Sequence, residues 1–258
     1  MKYRLPQVCF SKIMRAIVEF DLIQEDDNIL IGLSGGKDSL LLTYALAMLR
    51  ERLKKHFDLR AFTVDPMFSS TFDPAALKTF TESLKIPWEA QAVDIAEIIK
   101  EQKGKSACYT CAFFRRGAIN HYAQEHGCNK IAYAHHNDDA VETLLMSLLY
   151  SGQIQTFTPK TYLDRTNLTV IRPLVYLREK EIRDAARRCG LTPIPSPCPR
   201  NGETARQTVK ELIARLSASD PLIYPHLASA LRANNIGELW PPAKNRNEMA
   251  STYRDYMG

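Results

Sequence analysis

NILIGLSGGKDSLLL, residues 28–42, sets two glycines, a lysine and an aspartate between two apolar runs. The first run, NILIGL, has the length and branched side chains of a buried strand; the second opens a helix whose pattern continues to Phe57. A strand that turns through glycines into a helix aims backbone N–H groups and the positive end of the helix dipole at one point. Ser34, Gly35, Gly36, Lys37, Asp38 and Ser39 therefore make a phosphate site. The glycines let the backbone approach an anion, Lys37 adds charge, and Asp38 can hold Mg2+. The spacing is not a Walker loop: Gly32 to Lys37 is one residue short, and Asp38 stands where Ser or Thr would hold the metal. A purely structural turn leaves Lys37 and Asp38 unexplained.

Outward from this stretch, strands and helices alternate. VCFSKIMRAIVEF (8–20) has apolar groups at helical spacing. DLRAFTVD (58–65), WEAQAVDI (88–95), KIAYAHH (130–136) and LTVIRPL (168–174) read as strands, the second more polar and so nearer an edge. Between and after them, 73–84, 111–127, 139–152 and 177–190 read as helices. The expected fold is α/β, a doubly wound five-stranded parallel sheet with its ligand at the carboxyl ends of the strands. Residues 1–27 form an N-terminal helical segment and 28–190 the nucleotide-binding domain. From 191 the pattern changes: TPIPSPCPRNG holds four prolines, two helices follow over Thr204–Ser217 and Pro221–Asn234, and the last twenty residues are polar and loosely held. Residues 191–258 are expected to pack on the same domain.

The 258 residues are 45% apolar and 24% charged, ordinary for a protein with a sizeable core. There is neither a membrane-length apolar run nor the apolar segment of a signal peptide at the start, which points to the cytoplasm and no membrane partner. The net charge of +5 is mild, yet Arg178, Lys180, Arg183, Arg187, Arg188, Arg200, Arg206, Lys210 and Arg215 fall in one stretch. They read either as wet helix faces or as the footprint of a phosphate backbone. Of the six cysteines, Cys9, Cys128 and Cys189 lack ligand spacing and suit buried packing.

Cys108 and Cys111 form CYTC at the entrance to a helix carrying Arg115 and Arg116, two candidates for phosphate or RNA contact as well as for plain helix surface. Cys198 sits in the proline-stiffened loop, which can hold a thiolate at low entropic cost. Three thiolates without an evident fourth leave two occupants open, zinc completed by a histidine or an iron–sulfur cluster with one open iron. AHHNDDAVET (134–143) places Asp139 and Glu142 three apart at a helix start, an acidic capping box. Capping does not account for His135, His136 and Asp138 as well.

SGGKDS resembles the pyrophosphate loop of the PP-loop ATP pyrophosphatases, and AHHNDDAVET is similar to their second signature. The resemblance implies that the loop grips the β,γ-phosphates of ATP while a substrate oxygen attacks the α-phosphorus. It also implies that Asp65 lies at the adenosine, that His135 is near the nucleotide, and that Asp138 or Asp139 binds metal or manages protons. CYTCAFFRRGAI (108–119), VIRPLVYLREKEI (170–182) and the Cys198 loop, in that order, resemble the tRNA 2-thiocytidine synthetase family from about residue 8 to about 235. That implies a tRNA substrate, a 4Fe–4S cluster on Cys108, Cys111 and Cys198 (zinc being the alternative), and a persulfide carrier or sulfide as sulfur donor. Pro195 stands where many members have a further cysteine, and Glu142 where many have Gln. Lysidine-type ligation needs no thiolate cluster, and 2-thiouridine relatives carry terminal CxxC pairs that this chain lacks. The rivals outside catalysis are a zinc-stapled RNA module and a cluster-based redox sensor. The chain is small for gripping a whole tRNA, so a homodimer is expected.

Overall fold

Ile29, Leu30 and Ile31 are wholly buried in succession, which requires a strand covered on both faces. The computed structural model describes residues 5–68, 73–101, 106–195, 198–199, 204–232, 245–247 and 249. The chain runs α1 (Gln7–Glu19), β1 (Asp27–Gly32), α2 (Lys37–Arg52), β2 (Phe57–Asp65), α3 (Ala75–Ser83), β3 (Trp88–Ala92), α4 (Ile95–Glu101) and α5 (Ala107–Glu125). It continues through β4 (Lys130–Ala132), α6 (Asn137–Ser151), β5 (Lys160–Leu163), β6 (Leu168–Ile171), α7 (Glu179–Arg188), α8 (Ala205–Ser219) and α9 (Ile223–Ser229).

The strand order is β3-β2-β1-β4-β6-β5. The five expected strands pair in parallel, with β3 at one edge. A sixth, β5, pairs antiparallel with β6 and corrects the purely parallel expectation. It escaped because four residues with only alternate positions half-buried make no apolar run. The signal was the turn DRTN between KTYL and LTVI, where Asn167 takes a φ of 53°. The short helix α4 was also missed, and α5 begins four residues before Cys111. The fourth strand stops at Ala132, although Tyr133 N–H still donates to the Ile171 carbonyl at 3.0 Å, before the chain leaves for α6.

Alternation of side chains divides the core. Ile29 and Ile31 face a cluster built with α1, α2, α3 and α7, while Leu30, Phe62 and Val64 face Ile119, Tyr122 and Ala123 of α5. A smaller cluster joins Val141 of α6 to Val209 and Ile213 of α8 and Tyr224 of α9. Cys9 and Cys128 are buried and Cys189 half-buried, the packing roles expected of them. At the amino ends of β1 and β4, buried Asp27 pairs with Lys130 Nζ at 2.6 Å, and Asn129 Nδ2 donates to the same carboxylate at 2.8 Å. No helix among the described residues is long and apolar enough to cross a membrane. Arg200, residues 233–234 of the last expected helix, and most of the final twenty residues lie outside the described residues.

Candidate active site

β1 has β2 on one side and β4 on the other, so the direction of winding reverses between β1 and β4. Ligands bind at the carboxyl edge of such a switch point. SGGKDS leaves β1 there and AHHNDD leaves β4 there, each leading straight into a helix.

The loop is built to stay open. Gly35 has φ +81°, and a Cβ on it would come within 3.3 Å of Ile194 Cβ. Ile194 N–H donates to the Gly35 carbonyl at 2.9 Å, which lays the chain leading to Cys198 against the phosphate loop. Ser39 braces the turn from inside: its Oγ accepts from Ser34 N–H at 3.2 Å and donates to the Gly36 carbonyl at 3.0 Å. α2 begins at Lys37, directly after this turn, so the positive end of its dipole lies at the loop, as an anion site requires.

Beside the loop opens a cavity of about 310 Å³ whose wall includes Lys37, Asp38, His136, Asp139, Glu179 and Cys198, together with Arg206 and Lys210. Lys37 Nζ lies 3.2 Å from Asp38 Oδ2 and 3.2 Å from Glu179 Oε1, and Lys210 binds the other oxygen of Glu179. Burial opposes ionisation of Glu179, but Lys210 and Lys37 together hold its carboxyl down to about 2. For Lys37, burial works against the charge, and Asp38 and Glu179 overcome it and raise the pKa. Asp38 Oδ1 is buried with no hydrogen-bond partner. A carboxylate oxygen so placed suits a hard cation such as Mg2+.

The second motif corrects the expected capping box. The helix starts two residues earlier than expected, at Asn137, with His136 as its cap: Asp139 Oδ2 accepts from His136 N–H at 2.9 Å. Glu142 instead lies buried against Arg206 Nη1 at 3.1 Å, and burial and Asp139 raise its pKa while Arg206 opposes them. Asp139 lines the cavity, but its second oxygen lies 3.4 Å from Arg206. Asp138 is not in the wall. Arg178 Nε donates to both its oxygens at 3.1 Å and Glu179 N–H to one at 2.8 Å, so it ties α6 to the start of α7. His135 also stands off the wall, its ring 5.1 Å from that of Phe157. Burial holds its pKa down to about 4, with Arg172 and Arg206 adding to the effect against Asp139. Asp65, at the end of β2, accepts Met67 N–H at 3.0 Å.

Cys108 and Cys111 both lie in the first turns of α5, three apart and so on one face. Cys108 is exposed; Cys111 and Cys198 are half-buried, and none is in a disulfide. Burial pushes the Cys111 thiol up, the Arg115 guanidinium opposes it, and the nearby thiols of Cys198 and Cys108 push it further. The third thiol, beyond the sheet and α7 in the chain, is therefore near enough to Cys111 to act on its charge, and it also lines the cavity with Lys37. Among the described residues, no three His, Cys, Asp or Glu side chains already stand in ligating geometry. The donor set nonetheless fits a soft metal centre in kind and in neighbourhood: a bound cation would reverse the mutual repulsion of the thiolates.

Glu179, His136 and Thr204 are wall residues that sequence reasoning did not assign. Glu179 reads as one more acid at a wet helix start; its place in the matched LREKEI element was the available signal. Four of the clustered basic residues, Arg178, Arg183, Arg206 and Lys210, pair with carboxylates around the cavity, so part of that supposed footprint is internal.

A glycine phosphate loop and an acidic helix start meeting at the switch point define a PP-loop protein, and the PP-loop domain profile matches residues 7–215. A tRNA-cytidine(32) 2-sulfurtransferase of Geobacter metallireducens is 40% identical over 84% of this chain and 86% of its own length. One from Legionella pneumophila is 38% identical over 87% and 80%. The chain belongs to this tRNA 2-sulfurtransferase family. The fold is shared with a U34-tRNA thiolase of Methanococcus maripaludis solved with its 4Fe–4S cluster, at TM-score 0.70 and 22% identity over 87% of this chain and 78% of that one.

Proposed function

We propose that this chain is an ATP-dependent tRNA sulfurtransferase acting on a cytidine of the anticodon loop, the position 32 named for its relatives. The observation that carries the reading is that Cys198 lines one cavity with Lys37 and Asp38 while neighbouring Cys111. The phosphate loop and Lys37 bind the β,γ-phosphates and neutralise charge as pyrophosphate leaves. Asp38, with its unpaired Oδ1, holds Mg2+. The C2 oxygen of the base attacks the α-phosphorus, giving an adenylate in which a poor leaving group has become AMP. Sulfide, supplied as such or released from a persulfide carrier by a second thiol that ends in a disulfide with the carrier, then attacks C2 and AMP departs. Cys108, Cys111 and Cys198 would hold a 4Fe–4S cluster, which supplies an iron open to sulfide. Asp139 and His136 form the acidic start of α6 that faces the phosphates, while Asp138 positions that start from behind. A base must leave its stack to reach such a cavity, so a single-stranded loop is the natural substrate.

The test is anaerobic purification followed by iron, sulfide and zinc analysis, together with pyrophosphate release measured with and without tRNA. Nucleoside mass spectrometry of a deletion strain completes it. Release that depends on tRNA, cluster iron and a lost 2-thiocytidine are expected. An unchanged set of thiolated nucleosides sinks the assignment.

A further inference from the structure

The helix that carries Cys108 and Cys111 has a face that the described residues leave uncovered. Tyr109 is 60% exposed and Phe113 56%. Their rings are stacked along α5, centroids 6.4 Å apart at 21°, and Phe114 meets Phe113 edge-on at 5.5 Å. Tyr109 lies one helical step, about 100°, round from Cys108. Next along the same face come exposed Arg116, whose Nε bonds back to the Ala112 carbonyl at 3.1 Å, and then Gly117. Gly117 sits well inside a 19-residue helix, where only proline is a poorer choice. A Cβ on it would meet no atom within 4 Å, so nothing within the described protein requires the missing methyl.

An exposed aromatic pair and a helix-interior glycine both work against a soluble, stable fold, and both lie on one stripe beside the thiols. The neighbourhood is cationic: residues 107–120, ACYTCAFFRRGAIN, hold two arginines and no acid. A second copy of this chain docking face to face would bring two more arginines to a patch whose residues 107–120 offer no acid to meet them. Single-stranded RNA matches every element. Its unstacked bases lie on aromatic rings, its phosphates on arginine, and its backbone approaches most closely where a side chain is missing.

We infer that Tyr109 and Phe113 form a stacking platform for an unpaired base next to the target, with Arg116 on a phosphate and Gly117 admitting the sugar–phosphate backbone. This rests on the tRNA reading above and extends it to a surface outside the cavity wall. The platform holds the loop open while the neighbouring base enters the cavity.

The experiment uses the full chain, purified anaerobically, and an anticodon stem–loop RNA carrying a fluorescent adenine analogue in its loop. Binding is followed by anisotropy and stacking by quenching. Tyr109→Ala and Phe113→Ala each weaken binding by about tenfold or more and lose the quenching, while Tyr109→Phe restores both. Gly117→Ala raises the melting temperature yet weakens binding, a split that a purely structural role would not produce. If wild-type protein binds this RNA and the alanine variants bind it equally well, the platform is wrong and the tRNA reading stands. If wild-type protein does not bind it at all, both fall. Equal RNA binding accompanied by loss of a dimer in sedimentation, or by loss of activity with a carrier protein but not with sulfide, would also overturn the platform in favour of a protein contact.

Discussion

In the proposed reaction Lys37 is the residue on which the phosphate chemistry turns, and its surroundings keep it charged. Glu179 and Asp38 hold it in place until an anion competes for it. Lys37→Ala should lower the turnover of tRNA-dependent pyrophosphate release by about a hundredfold or more, read by a coupled phosphate assay. Two titrations give the protein a characteristic response to acid. The His135 pKa is held at about 4, below its ordinary value of about 6.5, so the unfolded chain takes up a proton first. Stability therefore declines as pH falls from about 6.5 to about 4, and His135→Gln should flatten that part of a plot of melting temperature against pH. Glu179, held at about 2, contributes stability that is full above about 4.3 and disappears as pH falls through its folded value. A second acid transition, absent from Glu179→Gln, is expected there by circular dichroism.

The elements are fastened at both ends of the central strands. At the amino ends, buried Lys130 satisfies Asp27 and also donates to the Leu22 carbonyl at 3.0 Å. Lys130→Met leaves a buried carboxylate without its partner and should cost about 3–5 kcal/mol in urea unfolding. Adding Asp27→Leu should recover most of that loss, because no unpaired charge then remains. At the carboxyl ends, Arg178 grips Asp138 and stacks over the Tyr224 ring, 3.1 Å from its centroid, which links α6, α7 and α9. The long elements were legible because their apolar content is strong and sustained: eleven consecutive residues of α2 are buried. Lys160–Leu163 was not, because four residues with no fully buried position are too short to show the alternation of a strand. The start of α6 was misplaced by two residues because a histidine, not an acid, caps it.

At the scale of the molecule, the proposed function depends on stretches distant in sequence opening onto one cavity. Cys198→Ser should abolish retention of cluster iron, measured by iron and sulfide analysis and visible absorption, while nucleotide binding and melting temperature stay near wild type. If Cys198→Ser keeps full iron, the ligand set is wrong. From the chain alone, the phosphate loop, the parallel core strands and the three candidate thiols could be read, since each is local: a glycine turn, an apolar period, a spacing of two cysteines. Only the tertiary structure decided that Ile194 lays the Cys198 segment against Gly35, that Glu179 joins Lys37 to Lys210, and that Asp138 turns away from the cavity to anchor a helix. Those are relations between residues tens of positions apart. They are set by the order in which strands pair and by competition among buried charges, neither of which leaves a period or a spacing in the sequence.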